Sequence, residues 1–142
     1  MSAEPDFVVF ERRVGRQNCY IIELKDGDVF DTKKAAGERE SLHRFVNVIA
    51  PLVRFTITVH VCSFNQHDRQ AIVDGFKRRI TLQEAMTGRE FCDLLGIDYN
   101  EIVHLRQENQ SVNFRDFIGS LLSIKATRDE IERQLAEKEL NI

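Results

Sequence analysis

The sequence lacks several features that would place it in a membrane, secreted or disulfide-stabilised class. Its 142 residues contain no apolar run of the roughly 20 residues that a membrane-spanning helix needs, and its N-terminus has no signal-peptide pattern. We therefore expect a cytoplasmic protein without a membrane partner. It has only three cysteines, Cys19, Cys62 and Cys92. Their odd number and wide spacing predict buried free thiols rather than disulfides or a zinc site.

An excess of either charge is also missing. The 20 Lys and Arg residues nearly balance the 23 Asp and Glu residues, so the net charge of -3 gives no global signal for nucleic-acid binding. Any anionic partner must therefore contact a local basic patch. Hydrophobic residues at 42% and charged residues at 30% are typical of a folded globular protein. The length suits a single core, and no repeat or linker marks a second independent domain.

Two short apolar runs near the N-terminus predict a β-hairpin. They are Phe7 to Arg12 and Cys19 to Leu24, and the polar stretch between them contains a glycine suited to a tight turn. If Val14-Gly15 forms a two-residue loop, Asp6 lies opposite Glu23, with β-carbons about 4.5 to 5.5 Å apart. A different loop would shift this register. Both faces of the strands are largely apolar, which indicates helices on either side.

The second apolar run ends in a carboxylate and an amine. Glu23 and Lys25 are two residues apart, so their side chains leave the same face of a strand. With Asp6 beside them, two carboxylates and a lysine would gather at one end of the sheet. Such a set suits a divalent metal ion and a water molecule that is to be activated.

The next segment predicts a helix and then another strand. Asp31 and Thr32 can cap a helix from about Lys33 to Ala50. Val53 to Val61 then alternates strictly between apolar and polar residues, as a half-buried strand does. A strand, a helix and a strand in succession imply a right-handed crossover and a parallel pair, so the sheet should be mixed.

The rest of the chain has a helical pattern. We predict helices from an Asp68 cap through Ile80, at Leu82 to Met86, Gly88 to Leu95, Tyr99 to Gln107 and Phe114 to Ile124, and a last one with a capping box of Thr127 and Glu130. The predicted fold is α/β (α+β): a mixed sheet flanked by helices in residues 1–80, and a helical C-terminal part in residues 81–142 packed on the same domain.

One motif gives the chain a family resemblance. Pro5-Asp6, sixteen intervening residues and then Glu23-Leu24-Lys25, followed by a helix and a strand, resemble the active-site half of the PD-(D/E)XK nuclease superfamily, which has the restriction-endonuclease-like fold. The resemblance covers about residues 5 to 64. The helical remainder is similar to the accessory part of type II restriction endonucleases. The resemblance implies a magnesium-dependent deoxyribonuclease that hydrolyses phosphodiester bonds of double-stranded DNA.

The resemblance also implies a role for each residue of the motif. Asp6 and Glu23 would bind the metal, with the Leu24 carbonyl oxygen as a possible additional ligand. Lys25 would orient the attacking water or help to deprotonate it. A magnesium ion held by hard oxygen ligands would neutralise charge on the phosphate and supply a nucleophile near neutral pH.

Basic residues provide candidate contacts to DNA phosphates. Three lie at the tip of the hairpin and three near the start of the following helix; they are Arg12, Arg13, Arg16, Lys33, Lys34 and Arg39. A further basic run occupies residues 77–79. Lys34 and Glu38 have two interpretations: they face the cleft, or they form an exposed ion pair one helical turn apart.

The sequence departs from the superfamily at its N-terminus. The family core usually begins with a helix, often carrying a further glutamate, and a strand that pairs with the one bearing the aspartate. Only Met1 to Pro5 precede Asp6 here. Three explanations stay open: the chain is part of a longer one, the core is reduced, or the missing elements come from another polypeptide. Because the first strand would otherwise have an unpaired edge, we expect a homodimer or a second polypeptide that completes the sheet.

Two other classes of function remain open. A structure-specific nuclease similar to a Holliday-junction resolvase would use the same acidic site but recognise the shape of branched DNA. A non-catalytic binding or assembly module on the same scaffold would keep the sheet and the basic patches but bind no metal. Cleavage of a plasmid and of a branched junction, with and without magnesium, separates the three.

Overall fold

Four strands and five helices make up the part of the chain that the structure describes. A computed structural model gives residues 4–25, 32–108 and 112–140, except for the side chains of residues 32–35 and 139–140. The strands are β1 (Phe7–Arg13), β2 (Arg16–Lys25), β3 (Thr56–Ser63) and β4 (Ala85–Thr87). The helices are α1 (Thr32–Ile49), α2 (Arg69–Gly75), α3 (Gly88–Leu95), α4 (Tyr99–Glu108) and α5 (Phe114–Leu140), and a 3-10 turn, Ala50–Leu52, follows α1.

The strands form one mixed sheet in the order β1-β2-β3-β4. β1 is antiparallel to β2, whereas β2, β3 and β4 are parallel, which confirms the predicted mixed sheet of an α/β fold. The hairpin has the predicted register, because Arg13 lies opposite Arg16 and Phe7 lies opposite Ile22. Gly15 has a φ of 78°, which explains why a glycine occupies this turn. Asp6 therefore precedes β1 at the level of Glu23.

The core lies mainly between β2, β3 and the helices. Ile21 and Ile22 are neighbours on β2 and are both fully buried, so both faces of this strand are covered, as predicted. The same prediction is wrong for β1, where Val8 and Phe10 are 38% and 52% exposed. β1 forms one edge of the described sheet, and fewer side chains pack over it.

One face of the sheet packs against α1. Leu42 of this helix belongs to the same buried cluster as Ile21, Val59 and Val61, and Phe45 packs at its border. The three cysteines are buried free thiols, as predicted. Burial also raises the pKa of the Cys92 thiol to about 12, so this side chain stays protonated near neutral pH.

Two predicted helices of the middle region are corrected by the structure. α2 starts after its Asp68 cap but ends at Gly75, well before Ile80. Lys77 and Arg78 have φ values of 54° and 60°, in the left-handed region, where a right-handed helix cannot continue.

The predicted helix at Leu82 to Met86 is also wrong. The amide of Val61 on β3 donates to the Glu84 carbonyl at 2.8 Å, which draws this segment onto the edge of the sheet. The Glu84 side chain and the backbone of Thr81 close a turn just before β4. Tertiary pairing thus overrides a local helical preference.

The C-terminal region forms one long helix instead of two. α5 continues through the predicted break, and the Thr127 hydroxyl donates to the Ser123 carbonyl at 2.9 Å. Thr127 therefore forms a hydrogen bond inside a helix and is not an N-terminal cap. By contrast, Thr87 and Glu90 form a capping box at the start of α3, where a helix was predicted.

The chain divides into two compact units, Met1–Asn100 and Glu101–Ile142. The first contains the whole sheet with α1, α2 and α3, and the second contains α5 and most of α4. In the second unit Phe114 is buried and lies beneath the guanidinium of Arg106. The boundary between residues 80 and 81 stays a prediction. In the described ranges no helix combines the length and apolar character needed to cross a bilayer.

Candidate active site

The acidic residues of the motif meet at the end of the hairpin opposite its turn. One oxygen of Asp6, Oδ2, accepts a hydrogen bond from the Leu24 amide at 2.8 Å, which ties the start of β1 to the end of β2. The Glu23 side chain is 16% exposed, and its Oε1 lies 3.7 Å from Lys25 Nζ. The structure therefore brings Asp6, Glu23 and Lys25 together. Their catalytic roles stay a prediction.

Helix α1 adds a fourth side chain to this cluster. The Glu38 carboxylate accepts a hydrogen bond from Lys25 Nζ and forms an ion pair with it. Of the two interpretations of Glu38, the one in which it faces the cleft is confirmed; the side chain of Lys34 lies outside the described residues. A signal was present in the sequence, because Leu42 lies one turn later on the same helical face and is buried.

Glu23 occupies an unfavourable environment for a charged carboxylate. Burial raises its pKa, the nearby carboxylates of Asp6 and Glu38 raise it further, and the ammonium of Lys25 partly opposes them. The resulting pKa is about 7, well above the ordinary 4.5. The negative charge of the cluster is thus only partly compensated by Lys25. A bound cation would stabilise the charged form of Glu23.

This raised pKa predicts a pH dependence of stability. Between about pH 4.5 and pH 7 the folded chain keeps a proton on Glu23 that the unfolded chain has lost, so stability falls as the pH rises through this window. We expect this group to lower the free energy of unfolding of the metal-free protein by up to about 3 kcal/mol across the window. Glu23→Gln should lack this component.

Urea unfolding at a series of pH values measures the effect. Glu40→Gln is the matched control, because Glu40 is exposed on the same helix as Glu38. This substitution should leave the pH dependence of stability unchanged. Identical pH dependences for the wild type and Glu23→Gln would contradict the raised pKa.

The donor atoms of the cluster fit a hard divalent cation. Asp6 and Glu23 offer carboxylate oxygens, and magnesium commonly takes only one or two protein carboxylates and keeps several waters. No set of three or more His, Cys, Asp or Glu side chains in the described ranges is arranged to hold a metal. Magnesium as the cation and the Leu24 carbonyl as an additional ligand stay predictions.

The predicted DNA-contacting arginines of the hairpin lie far from this cluster. Arg13 and Arg16 flank the turn, and Arg13 lies seven positions after Asp6 along extended backbone, which corresponds to roughly 23 Å. Arg13 and Arg16 line an open cleft of about 500 Å³ together with Arg54, which the sequence analysis did not single out. The guanidinium of Arg12 lies over the ring of Phe55. The structure thus separates the basic tip from the acidic end.

The other predicted basic contacts are only partly described. Arg39 on α1 pairs with Glu84 at 3.4 Å, and His43 lies 3.2 Å from the same carboxylate. The side chains of Lys33 and Lys34 are outside the described residues. In the later basic run, Arg78 is exposed and lies 3.9 Å from Asp74. None of these contacts tests a role in DNA binding.

Comparison with known proteins gives an informative similarity. No protein-family model matches the chain, and no solved structure matches it significantly. The chain is 40% identical over 130 residues to the type II restriction enzyme HhaII of Haemophilus parahaemolyticus. The match covers 92% of this chain and 57% of that enzyme, so the chain spans a little more than half the length of this relative. This similarity supports a relationship between the chain and the restriction endonucleases.

Proposed function

We propose that the chain carries the catalytic core of a divalent-metal-dependent endonuclease that cuts double-stranded DNA as a type II restriction enzyme of the PD-(D/E)XK kind. The observation that carries this proposal is the meeting of Asp6, Glu23 and Lys25 at one end of β2. The similarity to a type II restriction enzyme supports it independently.

Each side chain of the cluster has a proposed task. Asp6 and Glu23 would hold a magnesium ion, which when bound supplies charge neutralisation at the phosphate and a more acidic water. Lys25 would donate a hydrogen bond to the attacking water or to a phosphate oxygen and so orient them. The Leu24 amide fixes Oδ2 of Asp6, so this carboxylate needs little reorganisation when substrate binds.

Cleavage of two substrates tests the proposal. A supercoiled plasmid should become linear in the presence of magnesium and stay intact with EDTA. A four-way junction should be no better a substrate than linear duplex DNA. Preference for the junction would favour the resolvase-like alternative, and DNA binding without metal-dependent cutting would favour the non-catalytic module.

We also propose that the open edge of β1 pairs with a second polypeptide or with a second copy of the chain. Val8 and Phe10 on this edge strand are exposed, and an edge strand presents backbone donors and acceptors to a partner. A symmetric dimer would also place two active sites on the two DNA strands. If the partner is a second copy, light scattering of the purified chain at micromolar concentration should give at least twice the chain mass; if it is another polypeptide, the purified chain alone should be a monomer that does not cut DNA. A monomer that cuts both DNA strands would contradict this.

The arginines of the hairpin tip provide a separate test of DNA contact. Replacing both Arg13 and Arg16 by alanine should weaken binding of all sequences alike and reduce the slope of log affinity against log salt by up to about two. Fluorescence anisotropy over a range of salt concentrations measures this slope. A matched control replaces Arg115 and Arg133, which are exposed and paired with carboxylates on α5. An unchanged slope would remove the hairpin tip from the DNA interface.

A further inference from the structure

We propose that Glu38 is a positioning residue: it holds the ammonium of Lys25 away from Glu23, so that the Glu23 carboxylate stays available for a cation. This inference rests on the proposed function and assigns a task to a residue outside the PD-(D/E)XK motif. Glu38 acts through Lys25 in this proposal and is not a metal ligand.

The contacts of the lysine support this assignment. Lys25 Nζ lies between two carboxylates, and the hydrogen bond is made to Glu38, whereas Glu23 lies at 3.7 Å. That distance leaves an electrostatic attraction but no hydrogen bond. The lysine therefore has a preferred partner on α1 and a second one, Glu23, within easy reach.

Glu38 and Lys25 differ in how firmly the fold holds them. Glu38 lies on α1, and Leu42 one turn later is buried against the sheet, so the backbone that bears Glu38 is fixed relative to β2. Lys25 is the last residue of β2 and has a flexible four-carbon stem. Because the Glu38 carboxylate is fixed and the Lys25 ammonium is mobile, the position of Glu38 determines the position of the Lys25 charge.

Loss of Glu38 has a definite consequence. Without this acceptor the ammonium would turn to the remaining carboxylate, Glu23, and neutralise it. All three side chains are at least two-thirds buried, so this exchange is only partly screened by solvent. A cation would then have to displace the ammonium before it could bind. Glu38→Gln should accordingly weaken magnesium binding in the absence of DNA.

A double-mutant cycle on magnesium affinity separates positioning from direct ligation. Titration calorimetry of magnesium into the full chain at about pH 8 compares the wild type, Glu38→Gln, Lys25→Met and the double variant. We expect Glu38→Gln to weaken binding roughly tenfold, which corresponds to about 1.4 kcal/mol. In the Lys25→Met background the same substitution should change the affinity by less than about twofold. Glu40→Gln, on the exposed side of α1, is the matched control.

Two results of the cycle would overturn the proposal. An equal loss of affinity in both backgrounds would mean that Glu38 acts by its own charge or as a ligand. Unchanged affinity in Glu38→Gln would mean that the contact with Lys25 has no bearing on the cation. Thermal unfolding of each metal-free variant identifies any loss of fold.

A second measurement needs no metal and therefore stays decisive if the proposed function fails. A water-soluble amine-acylating reagent, followed by peptide mass spectrometry, gives the labelling rate of Lys25 relative to Lys125. Because loss of Glu38 moves the ammonium to the more buried carboxylate of Glu23, Glu38→Gln should lower this relative rate at least threefold, and Glu40→Gln should not. Equal rates in both variants would overturn the positioning role. Wild-type protein that neither binds magnesium nor cuts DNA would instead overturn the proposed function.

Discussion

Lys25→Ala and Glu23→Ala should each lower the rate of DNA cleavage by roughly 10² to 10⁴-fold and leave the chain folded. The loss is of the size seen when a positioned proton donor or acceptor, or a group that stabilises developing charge, is removed. The fold should persist because both side chains end at the rim of the sheet, and the alanine variants leave the buried core, such as Ile21 and Ile22, unchanged.

Single-turnover cleavage of a defined duplex under saturating magnesium measures this effect. Far-ultraviolet circular dichroism and the unfolding midpoint establish that each variant is folded. Glu40→Gln and Lys125→Ala provide controls for the loss of one negative or one positive charge outside the cluster. Activity close to that of the wild type in both Glu23→Ala and Lys25→Ala would place the active site elsewhere.

Gly88→Ala should destabilise the protein by about 3 kcal/mol and lower the unfolding midpoint by roughly 10 °C. A β-carbon at this first position of α3 would lie 2.0 Å from the Phe64 carbonyl oxygen and 2.7 Å from the ring of Tyr99. The obstruction is backbone, which cannot turn aside as a side chain can. The Phe64 amide donates to the Lys25 carbonyl at 3.1 Å, so displacement of Phe64 should also disturb the acidic end of β2.

Gly37→Ala is the matched control for this substitution. Gly37 also lies in a helix, but a β-carbon there meets no atom within 4 Å. Alanine at this site should therefore stabilise the helix by up to about 1 kcal/mol. Thermal and urea unfolding of the two variants should give opposite changes. A Gly88→Ala protein as stable as the wild type would show that α3 can move away from β3 at little cost.

The hairpin and its acidic end were predictable because their determinants are local. The Val14-Gly15 turn sets the register, and the register alone places Asp6 beside Glu23. The crossover to β3 was likewise predictable from the alternating pattern and the helix before it. These are short-range signals that one stretch of sequence contains in full.

The features that escaped prediction depend on distant residues. β4 has only three residues, and it is a strand because it pairs with β3, twenty-four residues earlier in sequence. The contact between Glu38 and Lys25 depends on how α1 lies against the sheet. Hydrophobic periodicity predicts which face of α1 is buried, but it does not determine where the helix lies on the sheet. Arg54 lines the cleft at the hairpin tip with Arg13 and Arg16, although it lies about forty residues away from them in sequence.

The bond between Asp6 and the Leu24 amide has a consequence for the order in which the residues of the proposed active site can be lost. Oδ2 of Asp6 satisfies a backbone donor at the junction of β1 and β2, so its removal would leave that amide without its acceptor as well as altering the acidic cluster. Glu23 and Lys25 have no comparable bond to the main chain among the described contacts. A lineage that abandons cleavage but keeps the folded scaffold should therefore change Lys25 or Glu23 first and retain Asp6 longest.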